Sequence, residues 1–474
     1  MRFIAPVELG ATPWPIAPTD LSQFVRLDQC ERYLRLRLHE RSEGRGFMRD
    51  YGVTPQSIPP ILTRSGEEFE NLIESAVARH FPTTRFGPAA RQAARRADDN
   101  ALLLDLARDL PPGEVIVLFQ PRLQAPIAGW AIRGDVDILR LERKPAGNLR
   151  PLIADIKSST AAKIEHRLQV AFYHEMLTTL FATAGIAHDP IEMAVLYRGP
   201  TESVTTTDET ELARQESQRQ SAERVFGTRA GLLESVDDAE AYLGAVRDLV
   251  TSPNSRARRV LRTDFAEIPF HLTYKCDGCL YNEFCMKRSA ETDDLSLVPH
   301  LTEQDKRALQ RGGVSTVHEL AALKSLRLKG RVARDDEPRD QPELIPNPGM
   351  EPLTRRLATT WPVGQRLDEL IHRALRYQKW KKEPVEALTY IPGNGYASLP
   401  YSGADQDPNL IRIYIDAQHD YLHDRLYMLG ALVVACEAGV EVPSRRRSLV
   451  RLSEGPPDTH AREEALFVDL VSVT

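Results

Sequence analysis

Two carboxylates, one lysine and a glutamine–tyrosine pair lie between Gly134 and Tyr173. Asp137 stands in the run IRGDVDILRL. Asp155, Ile156 and Lys157 end the run LIADIK, and Gln169 and Tyr173 follow in LQVAFYHEML. Side chains alternate along a strand, so Asp155 and Lys157 share a face and Ile156 turns away. Gln169 and Tyr173 are four residues apart in a helical pattern and share a helical face. Two carboxylates and a lysine converging at a sheet edge suit a hard divalent cation and the water it activates. Phosphodiester cleavage needs an in-line hydroxide and neutralisation of the charge developing on the phosphoryl oxygens, and a carboxylate-bound cation supplies both. A lysine beside two carboxylates stays protonated, so charge stabilisation is its easier role.

The order G-x-x-D (Gly134 to Asp137), D-x-K-S-S (Asp155 to Ser159) and Q-x3-Y (Gln169 to Tyr173) resembles the RecB-like branch of the PD-(D/E)xK nuclease superfamily. D-x-K alone is common and would fit two ordinary strands with polar ends; the ordered set is far more specific. The resemblance implies a restriction-endonuclease-like α/β fold, a mixed central sheet flanked by helices. It implies that Asp137, Asp155 and the Ile156 carbonyl hold Mg2+ or Mn2+. Lys157 would orient or activate the attacking water and stabilise charge, with Gln169 and Tyr173 positioning substrate and lysine. The family carries a histidine at the fifth position of a G-x-x-x-H stretch in an upstream helix. Here that stretch is Gly66-Glu67-Glu68-Phe69-Glu70, so Glu70 takes the histidine's place. A carboxylate suits Mg2+ better than imidazole does. Glu70 therefore joins the expected metal ligands, whereas Glu68 lies on another helical face.

The N-terminal stretch does not read as a signal peptide, so the five cysteines are expected to be reduced and not a disulfide framework. Cys276, Cys279 and Cys285 follow C-x2-C-x5-C, and Cys30 lies far upstream in a stretch that reads as helix. Four thiolates suit an iron–sulfur cluster or Zn2+, and the spacing alone leaves both open. So does a zinc set of the downstream three with His271. One cysteine before a RecB-like core and three after it resembles the iron–sulfur branch of that family, which includes AddB and the CRISPR-adaptation exonucleases. That resemblance implies a [4Fe–4S] cluster on Cys30, Cys276, Cys279 and Cys285, clasping the start of the nuclease to its end. Cys436, in LVVACEA, reads as buried.

The elements around these residues read in order. One amphipathic helix runs on from Leu21, and a second, SGEEFENLIESAVARHF, starts near Gly66. A short helix over 101–110 precedes the strands, and 191–199 is a further strand. Residues 205–250 have helical spacing, and SPNSRARRV reads as a basic loop. Residues 298–324 read helix, Gly-Gly turn, helix, which resembles a helix–hairpin–helix whose glycine-turn amides bind DNA backbone. A plain helical module fits the same text. Residues 325–360, rich in Pro, Asp and Arg, read as a linker, and 362–382 as a basic helix. IRIYIDAQHD resembles the first strand of a ribonuclease H-like exonuclease, but Gln418 after Asp416 cannot supply a second anionic ligand, so that module is expected to be inactive.

The expected domains are a nuclease with clasp (1–295), a helix–hairpin–helix-like segment (296–325), a linker with basic helix (326–404) and a partial ribonuclease H-like domain (405–474). The net charge of −6 does not announce nucleic-acid binding, but basic clusters at Arg91 to Arg96, Arg256 to Arg262, Arg373 to Lys382 and Arg445 to Arg451 are compatible with phosphate contacts. No run reaches transmembrane length, and a cytoplasmic location is expected. There is no G-x-x-x-x-G-K-[ST], so the chain carries no ATPase motor, and strand loading is expected from a fused or separate superfamily 1 helicase. The expected function is metal-dependent cleavage of single-stranded DNA or DNA ends, in repair or phage defence. The other reading is a non-catalytic iron–sulfur DNA-binding scaffold.

Overall fold

The computed structural model describes residues 5–8, 10, 13–54, 60–200, 209–334, 337–382, 411–420, 425–437, 440–453 and 460–471. It forms two compact units. One is Met1–Pro269 with Asp420–Arg425 and Pro457–Ala461; the other is Phe270–His419 with Leu426–Pro456 and Arg462–Thr474.

The first unit opens with β1 (Trp14–Ile16), α1 (Pro18–Arg26), α2 (Glu31–Glu43) and α3 (Gly46–Asp50). The single helix expected from Leu21 is therefore two. Asp28 and Gln29 take φ of 53° and 57°, and their amides close back on Val25 and Phe24, satisfying the carbonyls that end α1. Cys30 is the N-cap of α2 and not part of a helix interior.

Next comes α4 (Pro60–Val77), with proline at its first position, where a missing N–H costs nothing. It begins five residues earlier than expected, so Gly66 lies inside it. Phe69, Ile73 and Val77 form its buried stripe. Then follow β2 (Thr83–Arg85), α5 (Pro88–Ala93), α6 (Asn100–Asp109), β3 (Val115–Phe119), β4 (Arg122–Ile127), β5 (Trp130–Asp135), β6 (Ile138–Arg143) and β7 (Leu149–Lys157). The unit continues with α7 (Ile164–Ala184), β8 (Glu192–Tyr197), α8 (Glu209–Phe226), β9 (Leu232–Ser235), α9 (Ala239–Val246) and α10 (Arg256–Arg262).

Among the described residues the strands make a mixed six-stranded sheet, β2-β3-β6-β7-β8-β9, and a three-stranded sheet, β1-β5-β4. Pairing is parallel at β2/β3 and β7/β8 and antiparallel elsewhere in the large sheet. The stem of β7 is buried on both faces, which explains its unbroken apolar text. Because β7 is an interior strand, its carboxylate and lysine stand at a strand end within the sheet and not at a sheet edge. IRGDVDILRL is two strands: the chain leaves the small sheet after Asp135 and enters the large one at Ile138. The segment 205–250 contains β9, which has too few residues to show a period. SPNSRARRV folds as α10, whose closing carbonyls at Val260 and Thr263 accept from the buried Arg35 guanidinium at 2.6 and 3.1 Å.

The second unit holds α11 (Asn282–Glu291), α12 (Glu303–Arg311), α13 (Val317–Ala321), β10 (Lys324–Arg334), β11 (Glu337–Pro346), α14 (Glu351–Ala358) and α15 (Leu367–Lys382). The helix–Gly-Gly–helix reading of 298–324 stands. The expected linker over 325–360 is a β10/β11 hairpin followed by α14, with Leu344 and Leu357 in an apolar core with α12, α13 and α15. Its polar composition concealed a pairing set by cross-strand register. Residues 383–404 of the expected linker lie outside the described residues. Last come β12 (Ile411–Asp420), β13 (Arg425–Glu437), β14 (Val440–Glu441), β15 (Arg447–Leu452) and α16 (His460–Val471), where Leu466 and Leu470 pack on Leu429 and Ala431. Asp416 and Gln418 are bonded to each other at 3.2 Å. No helix among the described residues is long and apolar enough to cross a membrane.

The Gly-Gly turn has no free amides for phosphate. Gly312, Gly313 and Val314 donate to the carbonyls of Ala308, Gln310 and Leu309. The start of α13 already holds two carboxylates: Glu319 accepts from the amides of Ser315 and Thr316, and Asp293 accepts from that of His318. The helix N-terminus that a hairpin of this type would offer to an anion is therefore filled from within.

Candidate active site

The crossing from β5 to β6 delivers Asp137, and the end of β7 delivers Asp155 and Lys157. The amide of Ile156 donates to Asp137 Oδ2 at 2.7 Å, tying the crossing to β7. Lys157 Nζ lies 2.6 Å from Asp155 Oδ2 and 3.9 Å from Asp137 Oδ2. From α7, Gln169 Nε2 donates to Asp155 Oδ1 at 3.0 Å and stands 3.5 Å from the Tyr173 hydroxyl. The alternation in β7 and the four-residue step in α7 thus bring together the five side chains expected to meet.

Gly134 explains the start of the motif. A Cβ there would lie 2.7 Å from Tyr173 Cε1 and 2.9 Å from Pro18 Cδ, so only glycine lets α1 and α7 close over the crossing. Arg122 grips the Asp135 carboxylate with both arms, Nε to Oδ1 at 2.6 Å and Nη2 to Oδ2 at 2.8 Å.

From α4, Glu70 is near enough to Asp137 and Lys157 to feel both charges. Burial pushes its carboxyl up to about 7, and Asp137 adds to the rise against the pull of Lys157. Glu68 points elsewhere, 2.9 Å from Arg64 on the exposed face. Burial raises the Asp155 carboxyl well above its ordinary value; Lys157 opposes this and Asp137 reinforces it. Burial disfavours the Lys157 ammonium, but Asp155 and then Asp137 outweigh it and hold its pKa above the lysine value. His166, at the start of α7, is driven down to about 3 by burial and by Lys157, and is neutral.

The donor set fits a hard cation. Asp155 Oδ2 is buried and faces the ammonium of Lys157 at 2.6 Å, with the Asp137 carboxylate nearby. Asp137, Asp155 and Glu70 are oxygen donors, and the Ile156 carbonyl belongs to the same strand end. Among the described residues, however, no three His, Cys, Asp or Glu side chains are drawn together as a closed ligand set.

The cysteines fall in both units. Cys30 caps α2 in the first unit. In the second, Cys276 lies in a 3-10 turn (Tyr274–Gly278), Cys279 ends it and Cys285 follows in α11. The amides of Thr273 and Tyr281 point at the sulfurs of Cys276 and Cys279 at 3.4 and 3.5 Å, donors that suit thiolates. Cys436 is buried, as expected.

Two contributors escaped the sequence: Gln120 and Arg122. Each acts on a residue brought near only by folding, and neither belongs to a local pattern.

A comparison with curated proteins finds no match. Among solved structures, "Crystal structure of SSO0001" is 12% identical, covering 56% of this chain and 83% of that one, with a TM-score of 0.20. The family model of the PD-(D/E)XK nuclease superfamily matches residues 48–286, which include Glu70, Asp137, Asp155, Lys157, Gln169 and Tyr173. By that match, across half its length, the chain belongs to the PD-(D/E)XK nuclease superfamily.

Proposed function

We propose that the chain is a Mg2+- or Mn2+-dependent deoxyribonuclease that hydrolyses phosphodiester bonds in single-stranded DNA or at DNA ends. Asp155 carries the reading: a buried carboxylate at a strand end, oriented by Gln169 through Oδ1 and facing, at Oδ2, a lysine held charged. Asp137, Asp155, Glu70 and the Ile156 carbonyl would hold the cation. When bound, it acidifies a water and neutralises phosphate charge. Lys157 keeps its proton and places a fixed positive charge where the phosphoryl oxygens gain negative charge. Gln169 fixes the orientation of Asp155 through Oδ1, and Tyr173 fixes the backbone that leads to Asp137.

The finer reading includes a [4Fe–4S] cluster on Cys30, Cys276, Cys279 and Cys285, supported by their one-plus-three distribution and the amides aimed at two sulfurs. A superfamily 1 helicase, fused or separate, would supply single strands in repair or phage defence. A second reading is a non-catalytic iron–sulfur scaffold on DNA, for which Glu70 in the histidine's place and Gln418 after Asp416 leave room.

The test is digestion of end-labelled single- and double-stranded DNA with Mg2+ or Mn2+, using wild type, Asp155→Ala and Lys157→Ala. Iron and zinc are quantified on the same preparation. Metal-dependent shortening in wild type alone supports the nuclease. Binding without cleavage under either metal selects the scaffold, and stoichiometric zinc without iron removes the cluster.

A further inference from the structure

Gln120 follows β3 with φ of 52°, a left-handed conformation that few residues bearing a Cβ adopt. Three bonds fix it there. Its amide donates to the Asp137 carbonyl at 3.1 Å. Its carbonyl accepts from Arg91 Nη1 at 3.3 Å, and that buried guanidinium is itself held by Asp99 at 2.6 Å. Its side-chain amide Nε2 donates to Glu70 Oε2 at 3.3 Å. One residue therefore touches the main chain of Asp137 and the side chain of Glu70, which are 67 positions apart in the sequence.

Glycine would adopt this backbone freely, and asparagine more readily than glutamine. What glutamine adds is a side-chain amide long enough to reach Glu70. Strained residues of this kind gather at functional sites, where surrounding bonds over-determine them. Here the over-determination comes from Asp137 on one side and from Arg91 on the other.

We infer that Gln120 is a positioning residue for Glu70. By donating to Oε2 it holds the Glu70 carboxylate toward Asp137 and Lys157 and leaves Oε1 to meet a divalent cation. The inference rests on Glu70 being a metal ligand, as proposed above. Outer partners of this kind orient ligands, and their loss typically weakens metal binding by about 10- to 100-fold.

The experiment is Mn2+ titration of the full chain, reading free Mn2+ by electron paramagnetic resonance, with thermal unfolding alongside. Gln120→Gly deletes the amide and suits the left-handed backbone, so it is expected to melt no lower than wild type. Its Mn2+ dissociation constant is expected to rise about tenfold. Gln120→Asn, one methylene too short to reach Glu70, is expected to show the same weakening. In a Glu70→Ala background, Gln120→Gly is expected to add less than a twofold effect, since its partner is gone. Wild-type affinity in Gln120→Gly, or an undiminished loss in the Glu70→Ala background, overturns the inference while leaving the metal site intact. A wild type that binds no Mn2+ overturns the metal-site reading, and this inference with it.

Discussion

The phenol of Tyr173 donates to the carbonyl of Asp135 at 2.6 Å, joining the middle of α7 to the last residue of β5, two positions before Asp137. Burial, then the charges of Asp137 and Asp155, raise the phenol well above its ordinary value, so it remains a donor. Tyr173→Phe keeps the ring and leaves that carbonyl without its partner. We expect a loss of about 1–2 kcal/mol in urea unfolding and roughly tenfold slower cleavage. Wild-type rates in Tyr173→Phe would detach the bond from catalysis.

Gly134 and Gly66 predict opposite outcomes. Gly134→Ala forces a methyl into Tyr173 and Pro18 and should cost about 1–3 kcal/mol. Gly66→Ala meets nothing within 4 Å in the interior of α4 and should gain about 0.5–1 kcal/mol. Both are read from denaturant midpoints.

Lys157 balances a buried carboxylate, so its removal should be felt without any substrate. Lys157→Ala leaves Asp155 uncompensated, and we expect a loss of about 3 kcal/mol in the absence of divalent ions. Mg2+ should restore part of that stability while cleavage stays at background. A variant whose melting ignores Mg2+ would speak against a cation beside Asp155.

Glu70 predicts a pH dependence. Its folded value of about 7 lies above its ordinary 4.5. Between those values the folded protein binds a proton that the unfolded chain releases, so stability falls as pH rises through this window. Compared with Glu70→Gln, metal-free wild type should lose stability as pH rises from 4.5 to 7.5. Because a cation competes with that proton, Mn2+ affinity should climb from pH 6 to 8 in wild type and much less in the variant.

The chemistry was legible where it followed local periodicity. The two-residue step from Asp155 to Lys157 and the four-residue step from Gln169 to Tyr173 need only strand and helix geometry. Asp137 was legible as a carboxylate but not as a crossing point, because a strand that changes sheets keeps the composition of one strand. Cys30 read as helical because apolar spacing continues through the break made by two left-handed residues. The β10/β11 hairpin was hidden because proline and charge signal loops, while register depends on residues across the turn. Gln120 left no trace, since its meaning is a contact with a helix fifty positions away.

The crossing at Val136 and Asp137 also sets where this chain can tolerate change in length. Two residues span the gap between sheets, and both ends are pinned, by Arg122 on Asp135 and by the pairing of Ile138 with Ala154. The turn between β6 and β7, at 144–148, could absorb an extra residue because nothing catalytic hangs from it. One residue added at 136 would instead shift Asp137 off the Ile156 amide or slide β6 out of register, turning its buried face outward. Natural variation in length should therefore collect on one side of β6 and be missing from the other.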